Sequence, residues 1–380
     1  MEALWVQDFV KLVTTPIFAE EPMNPQPSFC PNFDCPSRGI LADGNLRVHD
    51  SLKNRWFCRT CKTTFSGRRG TPFFGLKHDL KLVVQVLTLL AHGCPLPAIV
   101  AAFDLDERTI ADWQRRAGEH CQRVHEAVVQ TPQDLKHVQA DEVRVRLQKR
   151  AVTWLCMAIA VPTRLWLGAE LGAKRDTRLL KRLAKRVKSC AKPAPLLVVT
   201  EGWKPYQEAF RKTFYVTEPT GKRGQPRREP CPQFALVQTV KWRECGRVLG
   251  IRVCHLLRAK QRIAPLLPKE QVVSTAYIER INATFRQRLA GLHRRTRCLR
   301  RQETALSYAV WLVGTVYNFC RPHRSLTDKG DFRTPTMAAQ LTGHLWSVAE
   351  LLSYAIAPPP FIMPKRRGRK PKSPEKGFTV

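Results

Sequence analysis

The sequence predicts a chain of mixed α/β class, in which a mixed sheet flanked by helices follows a small cysteine-bearing domain and an all-helical domain. Two pairs of cysteines lie near the start, an apolar period typical of helices comes next, and from about residue 135 the period becomes that of strands. Hydrophobic residues make up 43% of the 380 residues, so the chain can bury real cores, and its length suggests two or three domains.

The net charge is the strongest signal in the composition. The chain has 64 Lys and Arg against 31 Asp and Glu, a surplus of +33, and without its last twenty residues, which carry +6, the surplus is still +27. A folded body this basic is not that of an ordinary neutral enzyme, and it favours a polyanionic partner, either nucleic acid or an anionic membrane surface. The longest apolar runs, 82–91 and 151–161, are about half the length of a membrane span, so no transmembrane helix is predicted.

Thirteen cysteines in a chain whose start, MEALWVQDFVKL, lacks the features of a secretory signal favour metal binding over a disulfide framework. Cys30 and Cys35 are five residues apart, and Cys58 and Cys61 form a C-x-x-C motif after a polar, strand-like stretch. Two tight turns facing each other across a hairpin can hold a tetrahedral Zn²⁺, so these four residues predict a zinc ribbon with a structural Zn²⁺. Two unrelated buried cysteine pairs are the alternative, which the wider gap of the first pair leaves open. The other nine cysteines have no ligand spacing and are interpreted as small apolar residues.

A helical region follows, in which the segment CPLPAIVAAFDLDERTIADWQRRA predicts two short helices that meet at residues 104–106. Apolar positions of the first helix recur at i, i+3, i+4 and i+7, and Asp106 can cap the second. Together with an apolar helix over 80–91 this is the layout of a helix-turn-helix domain, although helical hairpins are common in any fold. The residues that the second helix would present to the major groove of DNA are Arg108, Thr109, Asp112, Arg115 and Arg116.

The strand-like region begins with DLKHVQADEVRVRLQKR, where apolar Val143, Val145 and Leu147 alternate with charged residues, so one face is buried. Asp141 falls on the buried parity, where an ionised carboxylate is costly unless it is paired or binds a metal. Glu142 is expected on the basic, solvent-exposed face.

Two further strands, a helix and a central strand are predicted next. TWLCMAIAV and RLWLGAEL have the composition of strands, and PAPLLVVTEGW predicts a buried strand of parallel type that ends at Glu201. The intervening DTRLLKRLAKRVK is an amphipathic helix, whose predicted inward residues are Leu179, Leu180, Leu183 and Val187.

A third acid lies on a later helix, STAYIERINATFRQRLAGLHRR, where Glu279, Asn282 and Arg286 form a polar line at spacings of three and four. Ser274 or Thr275 is available as its N-cap. Asp141, Glu201 and Glu279 would then meet at one edge of a mixed sheet, where divalent cations usually relieve the mutual repulsion of gathered carboxylates. Each acid also has a metal-free interpretation: Asp141 as a solvated strand-end residue, Glu201 as a carboxylate near a helix N-terminus, and Glu279 as an ion-pair partner of Arg280 or Arg286.

The order of these segments carries a family resemblance. The two cysteine pairs, the helical hairpin, the QADE strand, the VVTEGW strand and the YIERINATFRQR helix are followed by YNFCRPHRSL and TPTMAAQLTGHLW. Over roughly residues 29–352 this order resembles bacterial insertion-sequence transposases of the DDE class, which have a ribonuclease H-like catalytic core. The most specific motifs are IERIN with FRQRL, which in this family mark the helix of the third acid, and YN..RPH.SL after it.

The resemblance implies a DNA transposase that binds the ends of a mobile element and catalyses metal-dependent phosphodiester cleavage and strand transfer. Asp141 matches the family's first catalytic Asp and Glu279 its catalytic Glu, with Mg²⁺ or Mn²⁺ as the cofactor. Glu201 stands where the family has Asp, and its extra methylene moves the carboxylate by about one bond length. A catalytically inactive, transposase-derived DNA-binding protein is therefore the alternative, and a zinc-dependent nucleic-acid factor with a coincidental acid triad is a third interpretation.

The resemblance also implies a domain order, a location and partners. We expect double-stranded DNA, both element ends and target, as the partner, a homodimer or larger assembly because two ends are processed, no membrane association, and a bacterial cytoplasmic, nucleoid-associated location. The predicted domains are an N-terminal segment 1–28, a zinc ribbon 29–70, a helix-turn-helix domain 76–130, a ribonuclease H-like core 135–325 with a basic insertion 217–234, a C-terminal helical segment 326–358 and a basic tail 359–380.

Several basic stretches are candidates for DNA contacts outside the acid site. The Gly-, Pro- and Arg-rich insertion 217–234 is interpreted either as a strand-guiding loop or as a solvated linker. Arg294 and Arg295 continue beyond the helix of Glu279 and, with Arg286, could neutralise phosphates. The tail KRRGRKPK resembles an AT-hook that would insert Arg366, Arg367 and Arg369 into a minor groove, with a generic basic tail as the alternative. A nucleotide-binding glycine loop is lacking, so ATP dependence is not indicated.

Overall fold

The computed structural model describes residues 27–218, 226–245, 247–257, 273–293, 302–327 and 330–361. Among these residues the chain forms two compact units, a larger one between Thr71 and Ile356 and a smaller one over 27–70 and 357–361. None of the helices within the described ranges is both long and apolar enough to cross a membrane.

The smaller unit is a three-stranded antiparallel sheet with strands β1 (Leu46–Asp50), β2 (Arg55–Cys58) and β3 (Thr64–Ser66) in sequential order. Its buried apolar residues are few, namely Phe29 and the cluster of Cys30, Cys35, Cys58 and Phe65. A core of this size cannot hold a sheet by apolar burial alone, so the unit depends on what its cysteines bind.

Three helices open the larger unit: α1 (Leu80–Ala91), α2 (Leu96–Phe103) and α3 (Glu107–Val128). Asp106 caps α3 as predicted, since its carboxylate accepts hydrogen bonds from the backbone N–H groups of Arg108, at 2.8 Å, and Thr109, at 3.3 Å. The prediction of two short helices is wrong for the second, because α3 has 22 residues. Buried Ala117, Cys121 and Val124 continue its apolar stripe.

The centre of the larger unit is a mixed six-stranded sheet, as predicted. Its strands are β4 (His137–Arg146), β5 (Val152–Ala160), β6 (Leu165–Gly172), β7 (Leu196–Glu201), β10 (Phe234–Glu244) and β11 (Arg247–Leu257). Their spatial order is β11-β10-β7-β4-β5-β6, and the pairs β4–β7 and β7–β10 are parallel while the others are antiparallel. Strands β8 (Tyr215–Glu218) and β9 (Arg227–Pro230) form a separate antiparallel pair that overlaps the predicted insertion 217–234, of which 219–225 lies outside the described residues.

Helices flank this sheet and complete the core. They are α4 (Thr177–Cys190), α5 (Lys204–Arg211), α6 (Ala276–Arg288), α7 (Glu303–Phe319), α8 (Pro335–Ala338) and α9 (Val348–Ser353), and single 3₁₀ turns cover Gln148–Arg150, Ala290–Leu292 and Arg324–Leu326. The inward residues predicted for α4 are all buried, which confirms its amphipathic pattern. Helix α7 packs against α3 and β6, and Gly118 of α3 lies so close that a Cβ there would be 2.5 Å from Tyr308 Cα. Helix α7 thereby joins α3 to the β6 edge of the sheet.

Candidate functional site

The four predicted cysteines lie together. Their Sγ atoms are all within 4.8 Å of one another, with Cys30 and Cys61 at 3.7 Å and Cys35 and Cys58 at 3.8 Å. Four thiolates bound tetrahedrally to Zn²⁺ at about 2.3 Å would be about 3.8 Å apart. The cysteine centre, as we call these four residues, is therefore compatible with a structural zinc site.

Two backbone turns bring the cysteines to this geometry. In the first, Arg38 N donates to Cys35 O at 2.9 Å and Gly39, with φ +68°, donates to Cys30 O at 3.1 Å. In the second, Cys58 N donates to Thr63 O at 3.0 Å, and Lys62 has a positive φ of 56°. Each turn thus sets the positions of its own two cysteines, and the hairpin brings the two turns together.

Burial disfavours thiolates at Cys30 and Cys35 unless a cation is bound beside them. Burial raises the pKa of Cys35 to about 11 and raises that of Cys30 further. Burial acts in the same direction on Cys61, but hydrogen bonds from Thr63 and Asn32 outweigh it and lower its pKa to about 6. Four thiolates in so small a volume need a positive charge, which a divalent metal supplies.

The three acids lie at one edge of the sheet. Asp141 is buried in β4, Glu201 is the last residue of β7, and Glu279 is in the first turn of α6. Because Ala140 pairs with Thr200 in parallel register, Asp141 and Glu201 follow side by side on adjacent strands. We call Asp141, Glu201 and Glu279 the acid edge.

A lysine that the sequence reasoning did not single out joins two of these acids. Lys241 of β10 forms an ion pair with Glu279, and its Nζ is 3.5 Å from Glu201 Oε1. Thr275 donates its hydroxyl to Glu279 Oε1 at 2.9 Å instead of capping α6 with its side chain. Burial alone would lower the pKa of Lys241, but the two carboxylates raise it, so the ammonium group stays charged. The sequence alone gave no signal for this contact, because it depends on the parallel register in which Thr239, two residues before Lys241, pairs with Glu201.

Within the described residues, Asp141 has an amide as its partner and forms no ion pair with a cation. Asn282 Nδ2, one turn beyond Glu279 on α6, donates to Asp141 Oδ2 at 2.7 Å, while Asn282 Oδ1 is buried without a hydrogen-bond partner. Burial raises the pKa of Asp141 to about 7, and the charges of Glu201, Glu142 and Glu279 add to the shift. A cation at this position would lower that pKa again.

Gln139 sets the position of α6 relative to β4. Its Oε1 accepts from the backbone N–H groups of Tyr277, at 2.9 Å, and Ile278, at 3.0 Å, and its Nε2 donates to Ser274 O at 2.7 Å. The side chain thereby supplies hydrogen-bond partners to backbone groups at the start of α6, and it places Glu279 beside Asp141. Gln139 belongs to the QADE segment, but a buried glutamine gives no sign in a sequence of the helix that it will cap.

The expectation that Glu142 faces solvent is wrong, because only 3% of its side chain is exposed. It forms an ion pair with Arg175 and accepts a hydrogen bond from Tyr206 Oη at 2.5 Å. The Arg175 guanidinium in turn lies 4.0 Å from the centre of the Trp203 ring. The outward parity of β4 holds at Glu142, but α5 and the turn before it cover that face, and the hydrogen bond from Tyr206 ties β4 to the segment after Glu201.

The predicted DNA-contacting residues occupy different environments. Arg108 and Thr109 lie at the capped start of α3. Arg115 is paired with Asp112 at 2.7 Å and Glu119 at 3.1 Å, and Arg116 with Asp112 at 2.7 Å, so acids of the same helix partly neutralise them. Arg286 is partly buried on α6. The candidates outside the described residues are Arg294, Arg295, Arg366, Arg367 and Arg369.

The acid edge differs from a closed metal site in its donor geometry. Within the described ranges, the cysteine centre is the one set of three or more His, Cys, Asp or Glu side chains whose ligand atoms all lie within 4.8 Å of one another. Glu201 and Glu279 are instead drawn toward the ammonium group of Lys241. Coordination of one ion by all three acids would require Lys241 to move away, so the residues do not form a ready Mg²⁺ site in this arrangement.

Comparison with known proteins gave no family assignment. No protein-family model matches the chain, and no curated protein matches it. The function has to be argued from the cysteine centre, the acid edge and the charge of the chain.

Proposed function

We propose that the protein is a DNA transposase of the DDE class, which binds the ends of a mobile element and cleaves and joins phosphodiester bonds with Asp141, Glu201 and Glu279. The observation that carries the proposal is the convergence of these acids, with Asp141 and Glu201 on adjacent parallel strands and Glu279 brought beside them by Gln139. The flanked mixed sheet supports a ribonuclease H-like core, and the net charge of +33 supports a DNA partner.

The side chains around the acids have separate tasks in this proposal. Mg²⁺ or Mn²⁺ held by the three acids would supply polarisation of the scissile phosphate and activation of a water or 3′-OH. Asn282 orients Asp141, and Thr275 orients Glu279. Lys241 keeps Glu201 and Glu279 together until it is displaced.

The smaller unit and the first helices would bind DNA. The proposed structural Zn²⁺ at the cysteine centre would hold the smaller unit as a zinc ribbon. Helices α1 to α3 would act as a helix-turn-helix domain, with Arg108 and Thr109 at the start of α3 available for base or phosphate contacts.

A second candidate is a DNA-binding protein descended from such an enzyme that no longer cuts. Glu201 in place of an aspartate favours it, and so does Lys241, which already neutralises two of the three acids. In this case the zinc ribbon and helices would bind DNA while the acid edge stays closed.

Cleavage and strand transfer on DNA that carries the sequences flanking the gene, with Mg²⁺ and separately with Mn²⁺, test the two candidates. We expect products from the parent protein and from the exposed-acid control Asp134→Ala, and none from Asp141→Ala. Binding without cleavage by the parent, together with cleavage by Glu201→Asp, would establish the second candidate. If neither protein cuts despite tight binding, the catalytic assignment of the acids fails.

A further inference from the structure

Four arginines lie near enough to act electrostatically on one another or on His323 around the end of α7: Arg164, Arg280 near the start of α6, Arg288 as the last residue of α6, and Arg321. We call them the arginine cluster. The guanidinium of Arg164 lies 4.0 Å from the centre of the Tyr277 ring on α6, and Tyr317 of α7 donates its hydroxyl to Arg164 O at 3.1 Å. The Tyr317 ring also contacts the His323 ring, with centroids 4.7 Å apart. Two of these arginines lie near these rings in sequence, since Arg280 is three residues after Tyr277 and Arg321 two before His323.

The arginine cluster has no carboxylate partner. In the part of the chain that the structure describes, none of its four members forms an ion pair with an acid. The cations instead act on one another: burial and then Arg321 lower the pKa of Arg288 to about 10. Burial, followed by Arg321, Arg164 and Arg280, lowers the pKa of His323 to about 4. Positive charges that are gathered without a counter-charge attract an anion.

A buried histidine beside Arg164 also lacks partners. His137, at the start of β4, is 3% exposed, and neither of its ring nitrogens has a hydrogen-bond partner among the described residues. Its backbone C=O accepts from Val161 N at 2.8 Å, and Arg164 donates to Val161 O, so the guanidinium is folded toward this strand end. His323 Nε2 is likewise buried without a partner. Orphaned buried donors of this kind are explained by a ligand that the neutral imidazoles can bind by N–H donation.

We propose that the arginine cluster, with His137 and His323, is a binding site for a backbone phosphate of DNA. The inference rests on the proposed function for its choice of DNA, and it adds a second contact region next to the acid edge, since Arg280 directly follows Glu279 on α6. A phosphodiester group is the fitting ligand because it is anionic, accepts several hydrogen bonds and suits the planar fork of arginine. The site would hold a strand by its backbone without reading its sequence.

Fluorescence anisotropy of a short labelled DNA duplex, titrated with the full chain over a range of KCl concentrations, tests the proposal. For Arg321→Gln and Arg280→Gln we expect weaker binding at low salt. The slope of log K against log salt should be shallower by about 0.9 for each phosphate that the variant no longer neutralises. Arg321→Lys should recover part of the affinity because it keeps the charge. The matched control is Arg178→Gln, which removes an exposed arginine of α4 without an ion-pair partner in the described residues.

Thermal unfolding of each variant checks that it is folded, and Arg280→Gln on an exposed helix position keeps the test valid if Arg321→Gln is unstable. If Arg178→Gln lost as much DNA affinity and salt-dependence slope as the cluster variants, the proposal would be overturned. DNA would then be bound by the basic surface as a whole and not by a defined site. The proposal would also be overturned if inorganic phosphate, at matched ionic strength, stabilised the chain while Arg321→Gln lost no DNA affinity. The site would then bind free phosphate and not the DNA backbone. Absence of cleavage with cluster-dependent binding would refute the catalytic function alone.

Discussion

The cysteine centre and the acid edge are both groups of anionic donors, but they are assembled in different ways. The cysteine centre is made by two short turns, and its four Sγ atoms are already within 4.8 Å of one another. The acid edge joins residues from three elements that span 138 positions of sequence, with Lys241 paired to two of its carboxylates and Asn282 bonded to the third. The cysteine centre is therefore assembled by local turns, whereas the acid edge is assembled by contacts between distant elements.

The two regions also differ in what depends on them. Among the described apolar residues, the smaller unit buries only Phe29, Phe65 and three of its cysteines, so its fold is expected to depend on the ligand of those cysteines. The acid edge lies on a large core that is complete without it. Loss of the first site should therefore unfold its unit, whereas changes to the second should alter local stability, metal affinity and activity.

The largest effect is expected from Cys58→Ser. Removing one thiolate should release the metal and unfold β1 to β3, since metal binding by small zinc domains contributes about 10–16 kcal/mol. Zinc content per chain and hydrogen exchange over 46–66 measure this directly. The control is Cys245→Ser, an exposed cysteine without ligand spacing, which should retain both. Full zinc content and protection in Cys58→Ser would contradict the metal-dependent fold of this unit.

Asp141→Asn should act on the pH dependence of the larger unit. The pKa of Asp141 is about 7 in the folded chain, above its ordinary value, so the folded state binds the extra proton and stability falls as pH rises toward 7. Without added divalent ions, the parent should lose about 2–3 kcal/mol between about pH 5 and about pH 8, and Asp141→Asn should not. Urea unfolding at the two pH values measures this, with exposed Asp134→Asn as the control. An identical pH slope in parent and Asp141→Asn would show that Asp141 is not held as a buried acid.

Gln139→Ala should loosen the link between β4 and α6. The backbone N–H groups of Tyr277 and Ile278 would lose their acceptor, at a cost of about 1–3 kcal/mol. Urea unfolding gives the loss of stability, and hydrogen exchange over 276–288 locates it. Gln207→Ala, a partly exposed glutamine of α5, should change neither. A normal exchange rate in α6 of Gln139→Ala would mean that other contacts hold the helix.

The smallest loss of stability is expected from Lys241→Met, and the effect of this variant on metal binding distinguishes the acid edge from the cysteine centre most sharply. Loss of a partly exposed ion pair should cost about 1 kcal/mol or less in the metal-free chain. Mn²⁺ binding, followed by electron paramagnetic resonance without DNA, should become tighter because Glu201 and Glu279 lose their competing cation. Lys212→Met removes a comparable pair, with Glu208 on α5, and should leave Mn²⁺ binding unchanged. Weaker Mn²⁺ binding in Lys241→Met would show that Lys241 supports the metal site.

The sequence by itself determined those features that depend on neighbours along the chain. The cysteine spacing, the cap at Asp106, the inward stripe of α4 and the buried parity of Asp141 are all periodic or short-range signals, and each is present in the structure. A turn or a helical face is decided within a few residues, because backbone geometry repeats over that distance.

Only the tertiary structure decided which distant groups meet. The burial of Glu142, the cap that Gln139 provides and the ion pairs of Lys241 depend on which strand lies beside which and on which helix covers an edge. Parallel register aligned Glu201 with Thr239 and so brought Lys241 to the acids, and no local period encodes that alignment. Pairing energies between such groups arise only after the chain has closed loops of many residues, so they are properties of the packed fold and not of any segment.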